Sequence, residues 1–560
     1  MRTHNAMDVM EKITHARSLS DQNEESNYSN SKFANFQELV NSRKDSNQLF
    51  LTYYDSDGIR SKFTYHEFCR MVFGIVNEFE CMKISKGDRI ATIAHNHWQT
   101  IVQYVAAWYA GVVVVPVNVG EDDARISFIL KKAEIRFAFV HEDYEERICN
   151  LMDEQNIKMA LTVYGDLFDY AKTVDKPTKI PNAPQPDDNA FIVFTSGTTG
   201  DPKGVVLTQR NLLDDAGAIA EWHGIEHSTT MMCVLPIHHV NGTVVTHITP
   251  FFTGGNVVLN QKFSPSKFWN RINDEEVEVV SMVPTLLSYL TSTYKENPPE
   301  ISDTFRHVIC GAGPLTVEVG KNFEELFNRR VVHGYGLSET TCYSCFLPTD
   351  LTDEQHQKWM QEHGYPSIGM AIPPNEMAIQ DDDGNSLEEG ERGEIVIRGH
   401  NVMKEYFNNP EANEEAFANG WFRSGDEGFF LTDDQNRAFY FITGRLKELI
   451  IRGGVNLAPL EIDEVINKAP GVKAGIAVGF ENDWYGEEVG AYIQLNGIKK
   501  SKEEVKQGIL DYCNEHLPFS KTPKLVVFGD KIPVTSTGKY QRIKVAPLFE
   551  EWKKEQFRES

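Results

Sequence analysis

The sequence predicts an α/β protein in two parts. A large N-terminal domain of sheets covered by helices, with a smaller β-rich subdomain, precedes a small α+β C-terminal domain. Three observations carry this reading. Short β-rich runs alternate with helical patterns as far as about residue 440, the mark of parallel sheet flanked by helices. The chain turns more β-rich after residue 365, and it changes character again after Gly444-Arg445-Leu446-Lys447. A length of 560 residues also exceeds one typical core. The expected divisions are a mobile N-terminal segment over 1–34, in which Ser18 to Ser31 is rich in Ser, Asn and Glu, a large domain over 35–446 and a small one over 447–560.

The elements follow in order. Residues 90–94 read as a strand, and Asn96 is placed to cap a helix from His97 to about Ala110, which Gly111 ends. A buried strand over 112–115, a helix over 122–132 and a strand over 136–140 come next. The Pro-rich stretch 176–189 is a connector into the apolar run Phe191-Ile192-Val193-Phe194. Further strands are expected over 256–259, 277–282 and 393–399. In the last part, Pro459 suits the first turn of a helix, and strands are expected over 474–478 and 489–495. Ser501 and Glu504 form a capping box for a final helix whose apolar face is Val505, Ile509, Tyr512, Cys513 and Leu517.

Composition bounds the function. A net charge of −26 argues against nucleic acid and against a basic membrane-surface patch. The apolar stretch 101–119 is broken by Gln103, Gly111 and Pro116, so no transmembrane segment is expected. The N-terminus lacks the apolar core of a secretory signal, and the eight cysteines follow no disulfide-scaffold spacing. Cys342 and Cys345 form a lone C-x-x-C, read as two reduced structural thiols. Together these features indicate a cytoplasmic protein.

Five short segments carry chemistry. The first is Thr195-Ser196-Gly197-Thr198-Thr199-Gly200-Asp201-Pro202-Lys203. Its glycines free backbone N–H groups to face an anion, its hydroxyls add donors, and Lys203 adds a mobile positive charge; polyphosphate is the natural guest. The pattern differs from G-x-x-x-x-G-K-[ST]. The second is Tyr335-Gly336-Leu337-Ser338-Glu339-Thr340, which offers a ring to stack on adenine and a carboxylate to hold Mg²⁺. In the third, ending Gly425-Asp426, one acid can accept both ribose hydroxyls. The fourth runs from Gly444 to Pro459; Arg445 is a donor to ribose or phosphate, and Gly453-Gly454 permit close backbone approach. The fifth, Thr537-Gly538-Lys539-Tyr540-Gln541-Arg542, can push the Lys539 ammonium into a cleft. Singly, each also reads as an ordinary turn, linker or solvated lysine.

In this order and at these separations, over roughly residues 35–550, the five segments resemble the adenylate-forming superfamily: acyl-CoA synthetases, peptide-synthetase adenylation domains and beetle luciferases. The resemblance implies a large adenylate-forming domain with the small C-terminal domain as a moving lid, and ATP, Mg²⁺ and coenzyme A as cofactors. It implies two half-reactions, in which a small-molecule carboxylic acid becomes acyl-AMP with release of pyrophosphate and then passes to the thiol of coenzyme A. It places Lys539 at the carboxylate and α-phosphate, and Glu339 and Thr195 at Mg²⁺ and the phosphates, with Lys203 near the leaving pyrophosphate. Tyr335 is set beside adenine with backbone from Gly311-Ala312-Gly313-Pro314, Asp426 and Arg445 at the ribose, and Lys447 at the hinge. Gly336, Ser338, Thr340, Gly453, Gly454 and Asn456 complete the implied nucleotide contacts, with Asn456 standing where coumarate ligases and luciferases have a glutamine.

Leu235-Pro236-Ile237-His238-His239-Val240-Asn241-Gly242 resembles the segment that gates the acyl carbon, with His239 at the gate. No aspartate stands there to hold an α-amino group, which lowers the peptide-synthetase reading. Gly311 and Gly313 resemble pocket-floor positions and imply room for a fatty or aromatic tail. Ile451 replaces a lysine found in coumarate ligases and luciferases, so that role is not carried over. The alternatives are an acyl-AMP ligase loading a carrier protein, a luciferase-like or β-lactone-forming relative, and, from another class, a non-catalytic nucleotide-binding regulator. The oligomer, monomer or homodimer, is left open by the sequence.

Overall fold

The computed structural model describes residues 8–20, 32–195, 201–495, 501–534 and 540–558. Among these residues the strands form four sheets, of nine, seven, four and five strands. The nine-stranded sheet has a parallel centre: Leu49–Tyr54, Asn256–Asn260, Thr230–Cys233, Val279–Met282, His307–Cys310 and Arg330–Tyr335 lie side by side. The seven-stranded sheet centres on parallel Val113–Val117, Arg89–Ile93, Phe137–Val140 and Ala160–Val163. Both sheets use Val- and Ile-rich strands buried on both faces, as parallel sheet requires.

The helix Trp98–Ala110 belongs to the main core, where Thr100 through Ala110 are all buried and the Trp108 indole donates to Ala190 O at 2.9 Å. The long apolar stretch is therefore core, and among the described residues no helix is long and apolar enough to cross a membrane. Gly111 ends this helix in the left-handed conformation at φ 70°, as expected. The expected cap does not form at Asn96. His97 is the capping residue, and the buried Asn96 amide donates to Leu235 O and Asn260 O at 2.9 and 3.1 Å. Asn96 Oδ1 also accepts from Ile237 N at 2.9 Å, so it clamps the strand end to the segment before His239.

The four-stranded sheet is antiparallel and runs Asn375–Gln380, Gly393–Gly399, Phe422–Thr432, Ala438–Arg445. It is the β-rich part expected after residue 365. The last sheet is built around the long hairpin Val472–Asn482 and Gly486–Leu495, packed by the helices Pro459–Lys468 and Lys502–His516. Pro459 is the first residue of its helix and Ser501 caps the other with Glu504, both as expected. The largest core cluster contains no buried residue beyond Phe441, and two smaller clusters are built only from residues 450–549. Hydrophobic packing thus changes partners between those positions.

The N-terminal segment departs from the expectation of mobility. Residues 9–16 form the helix Val9–Ala16, which buries Ile13 and Ala16, and His15 Nδ1 lies 2.7 Å from Gly420 O. Ser20 follows with a 2.8 Å bond from its N–H to Glu376. A capped, amphipathic sequence docks residues 9–16, ahead of the Ser/Asn/Glu-rich stretch that begins at Ser18. Residues 21–31 lie outside the described set.

Candidate active site

The site forms where the large sheets and the antiparallel sheet meet. Asp426 and Arg445 are opposite each other on neighbouring antiparallel strands, which fixes the 2.8 Å ion pair between Arg445 Nε and Asp426 Oδ1. Asp426 is 2% exposed, and its other oxygen accepts from the Tyr335 hydroxyl at 2.6 Å. Burial, then Asp426, pushes the Tyr335 phenol well above its ordinary range, so it remains a donor. Asp426, first among its neighbours, holds the Arg445 guanidinium firmly charged. The acid, the ring and the cation that the sequence set around a nucleoside are thus brought together.

A second group assembles beside them. Glu339 lies on the 3₁₀ turn Ser338–Thr340, and its Oε1 accepts from the Tyr406 hydroxyl at 2.8 Å. Tyr406 sits on the short strand Glu405–Tyr406, paired with Val205 and Val206 next to Lys203. The Lys203 ammonium stands 4.9 Å above the Tyr406 ring, within cation–π range. Sequence reasoning missed Tyr406; its signal was no more than an aromatic residue between the second and third chemical segments. Glu339 is a hard oxygen donor already oriented by a hydrogen bond, and this fits Mg²⁺.

Thr195 and Lys203 are cross-strand partners on neighbouring antiparallel strands. The Thr195 hydroxyl contacts Lys203 O at 3.5 Å. Ser196, Gly197, Thr198, Thr199 and Gly200 lie outside the described residues. The Thr340 hydroxyl closes its own turn, taking a bond from Leu337 N at 3.1 Å. Gly336 packs so tightly that a side-chain carbon there would lie 2.1 Å from Cys342 O. Gly311 follows the strand His307–Cys310, and Ala312, Gly313 and Pro314 continue half-buried beside it.

His239 is half-buried at the entry to a π-helix, Asn241–Ile248, and its ring lies 4.5 Å from that of His238. Such helices gather at functional sites. Burial holds His238 well below the usual histidine range, hence neutral. The room expected above Gly311 is occupied: a side-chain carbon there would lie 2.6 Å from both Gly334 O and the Tyr343 hydroxyl oxygen.

The structure does not bring every predicted residue to this cluster. Gly453 and Gly454 form the turn of an exposed hairpin at φ 59° and 82°, and nothing lies within 4 Å of where their side chains would be. Asn456 is exposed on the same hairpin. Lys447 pairs with Glu415 at 3.6 Å on the surface. Lys539 lies outside the described residues, but its flanks are fixed. Val534 bridges Tyr540, and Arg542 makes a buried bond to Asp463 at 2.5 Å while its Nε faces Glu448 at 3.7 Å. The buried Arg542 therefore ties the segment after Lys539 to the residue next to Lys447.

This arrangement is one that recurs. The AMP-binding enzyme family matches residues 39–407, and the AMP-binding enzyme C-terminal domain matches residues 461–539; the chain belongs to this adenylate-forming family. It is 32% identical to the sulfoacetate–CoA ligase of Cupriavidus necator over 82% of this chain and 88% of that protein. It is 31% identical to a long-chain-fatty-acid–CoA ligase of Mycobacterium tuberculosis over 85% and 91% of the two chains. The o-succinylbenzoate CoA synthetase of Bacillus subtilis, solved with its acyl-adenylate intermediate, superposes with a TM-score of 0.78 at 27% identity, over 92% of this chain and 98% of that one. ATP-bound MatB from Rhodopseudomonas palustris shares the fold, with a TM-score of 0.82 at 24% identity over 93% and 100%.

Proposed function

We propose that this protein is an AMP-forming acid–thiol ligase that converts a small carboxylic acid to its acyl-adenylate and then to an acyl-CoA. One observation carries the reading: Asp426, flanked by Tyr335 and Arg445, stands beside the Glu339–Tyr406–Lys203 group, matching ribose and polyphosphate in a single cleft. In the first half-reaction the carboxylate oxygen bonds to the α-phosphorus and pyrophosphate leaves. In the second, sulfur bonds to the acyl carbon and AMP leaves.

The side chains act by position and charge. Asp426 receives the ribose hydroxyls, Tyr335 flanks the base, and Arg445 neutralises charge near the ribose and phosphates. Lys203 and the segment Thr195–Gly200 hold the polyphosphate. Glu339 and Thr195 would hold Mg²⁺, which supplies neutralisation of phosphate charge. Lys539 brings its ammonium to the carboxylate and α-phosphate, and His239 stands between the acyl carbon and the thiol. The change of core between Phe441 and Ile450 supports a lid beginning at Lys447, whose movement would exchange Lys539 for the Gly453–Asn456 hairpin. Eight free cysteines, six of them buried, suit a reducing compartment such as the cytoplasm.

The test is pyrophosphate release from ATP and Mg²⁺ across a panel of acids, with and without coenzyme A. Acid-dependent release that rises with coenzyme A is expected. Release indifferent to coenzyme A would point to a carrier-protein acceptor, and ATP binding without release for any acid would leave a nucleotide-binding regulator.

A further inference from the structure

The acyl end of the cleft is closed by a buried polar floor. Four parallel strands, Thr230–Cys233, Val279–Met282, His307–Cys310 and Arg330–Tyr335, present their carboxyl ends to the same edge of the sheet, where ligands of such sheets bind. From that edge come Asn241, two residues beyond His239; Ser281; Gly311; and the Tyr335-Gly336 turn, whose Gly336 packs against the backbone of Tyr343. Tyr343 is 1% exposed and fills the place where a side chain on Gly311 would stand. Its hydroxyl accepts from Asn241 Nδ2 at 3.1 Å, and Ser281 Oγ donates to Asn241 Oδ1 at 2.7 Å. Between the histidine of the expected gate and the Tyr335-Gly336 turn therefore stands an interlocked set of three uncharged polar groups.

A tail has no easy detour. An apolar cavity of about 10 Å³, room for roughly one water, lies among Trp108, Thr243, His247 and Phe251. Thr243 is about half a turn around the π-helix from Asn241, so that cavity opens on the opposite helix face. Burial keeps Tyr343 a neutral phenol, well above its ordinary range. Asn241 donates to the Tyr343 oxygen and the hydroxyl also faces Ser281, so each of the three groups keeps an oxygen lone pair that a ligand hydroxyl can meet.

Building on the ligase reading above, we propose that the acid is short and monoanionic and carries an uncharged hydrogen-bonding group, as a 2- or 3-hydroxy acid does, with Tyr343, Asn241 and Ser281 as the specificity-determining floor. A long or aromatic tail would have to displace Tyr343. A second anionic group would be desolvated against three uncharged partners. The relatives do not decide this, since they are named for acids as different as sulfoacetate and long-chain fatty acids.

The experiment is kcat/KM for pyrophosphate release with glycolate, lactate and 3-hydroxybutyrate against malonate, sulfoacetate, hexanoate, palmitate and cinnamate, in the wild type and two variants. A hydroxy acid is expected to lead both other groups by about 100-fold, the scale on which an unmatched buried polar site rejects a ligand or exceeds it. Tyr343→Phe keeps the ring and loses the hydroxyl; it should cost the hydroxy acid about 10-fold and gain nothing for hexanoate. Tyr343→Val frees the space at Gly311 and should raise hexanoate turnover at least ~10-fold relative to the hydroxy acid. A wild type that prefers hexanoate, palmitate, cinnamate or a dianion overturns the inference while leaving the ligase reading intact. Release with no acid at all, ATP binding being retained, overturns both. The wild-type ranking decides the matter even if a variant does not fold.

Discussion

Asp426 is a buried carboxylate with fixed structural partners and, on the proposed reading, the ribose as its ligand. Both of its oxygens are engaged, by Tyr335 and Arg445, in a site 2% exposed. Asp426→Ala leaves Arg445 without its partner, and breaking such a buried pair should cost about 3–5 kcal/mol of stability. Thermal unfolding should show this, together with loss of ATP binding in calorimetry; a variant that still binds ATP like wild type would remove Asp426 from the ribose. Tyr406 makes a narrower prediction. Tyr406→Phe deletes a 2.8 Å bond to Glu339, and a bond to a charged group is worth about 1.5–3 kcal/mol. Adenylation should fall roughly 10- to 100-fold, with a higher Mg²⁺ requirement and an unchanged melting temperature within a few degrees. Unaltered Mg²⁺ dependence would show that Tyr406 does not orient Glu339. At this scale the sequence pointed to Asp426, Arg445 and Glu339 because five segments, ordinary one by one, occur together in a single order. Tyr406 and Asn96 stayed hidden, since an aromatic or an amide acquires meaning only from what it faces.

At the level of elements, the helix Pro459–Lys468 joins the two parts of the chain. Its Glu464 accepts from Val317 N at 2.7 Å, at the start of the helix Val317–Phe327, and Glu461 accepts from the Tyr365 hydroxyl at 3.2 Å. Burial raises the Glu464 carboxyl to about 7, against lowering by the Val317 N–H and Lys468. The sign follows from proton counting. A carboxyl whose pKa in the docked state lies above its ordinary value binds more protons docked than free, so docking is strongest at low pH and weakens as pH rises towards 7. Above about 7 both states are ionised and the effect levels off. Hydrogen exchange at 317–327 and 459–468 should therefore be slower at pH 5.5 than at pH 8 after correction for intrinsic rates. Glu464→Gln should remove that dependence; a dependence that persists would assign it to another group. Pro459 located this helix correctly, because a proline suits a first turn and is a local signal. It could not say which surface the acidic face meets.

For the molecule as a whole, the prediction concerns the hinge. Lys447 sits between the last strand of the antiparallel sheet and the small domain's first strand, and its ion pair with Glu415 is exposed on both sides, hence weak. Lys447→Pro restricts backbone rotation there. Adenylation should persist within about 3-fold, while conversion of preformed acyl-AMP and coenzyme A should drop by at least ~100-fold. Equal loss of both halves would sink the hinge assignment. Lys539→Ala should give the reverse pattern, losing about 10²–10⁴ in adenylation and keeping thioester formation.

The sequence by itself determined the α/β class, the positions of the strands and helices it marked, the five chemical segments and the family, because periodicity, capping and glycine-rich turns are properties of neighbouring residues. Tertiary structure decided the rest. It docked the N-terminal helix expected to be mobile, moved Asn96 from a cap to a clamp, paired Tyr406 with Glu339 and set the Gly453-Gly454 hairpin out in solvent. It also filled the space above Gly311 with Tyr343, thirty-two positions later in the chain. What occupies a cavity depends on residues brought together from distant strands, and no local pattern encodes that meeting.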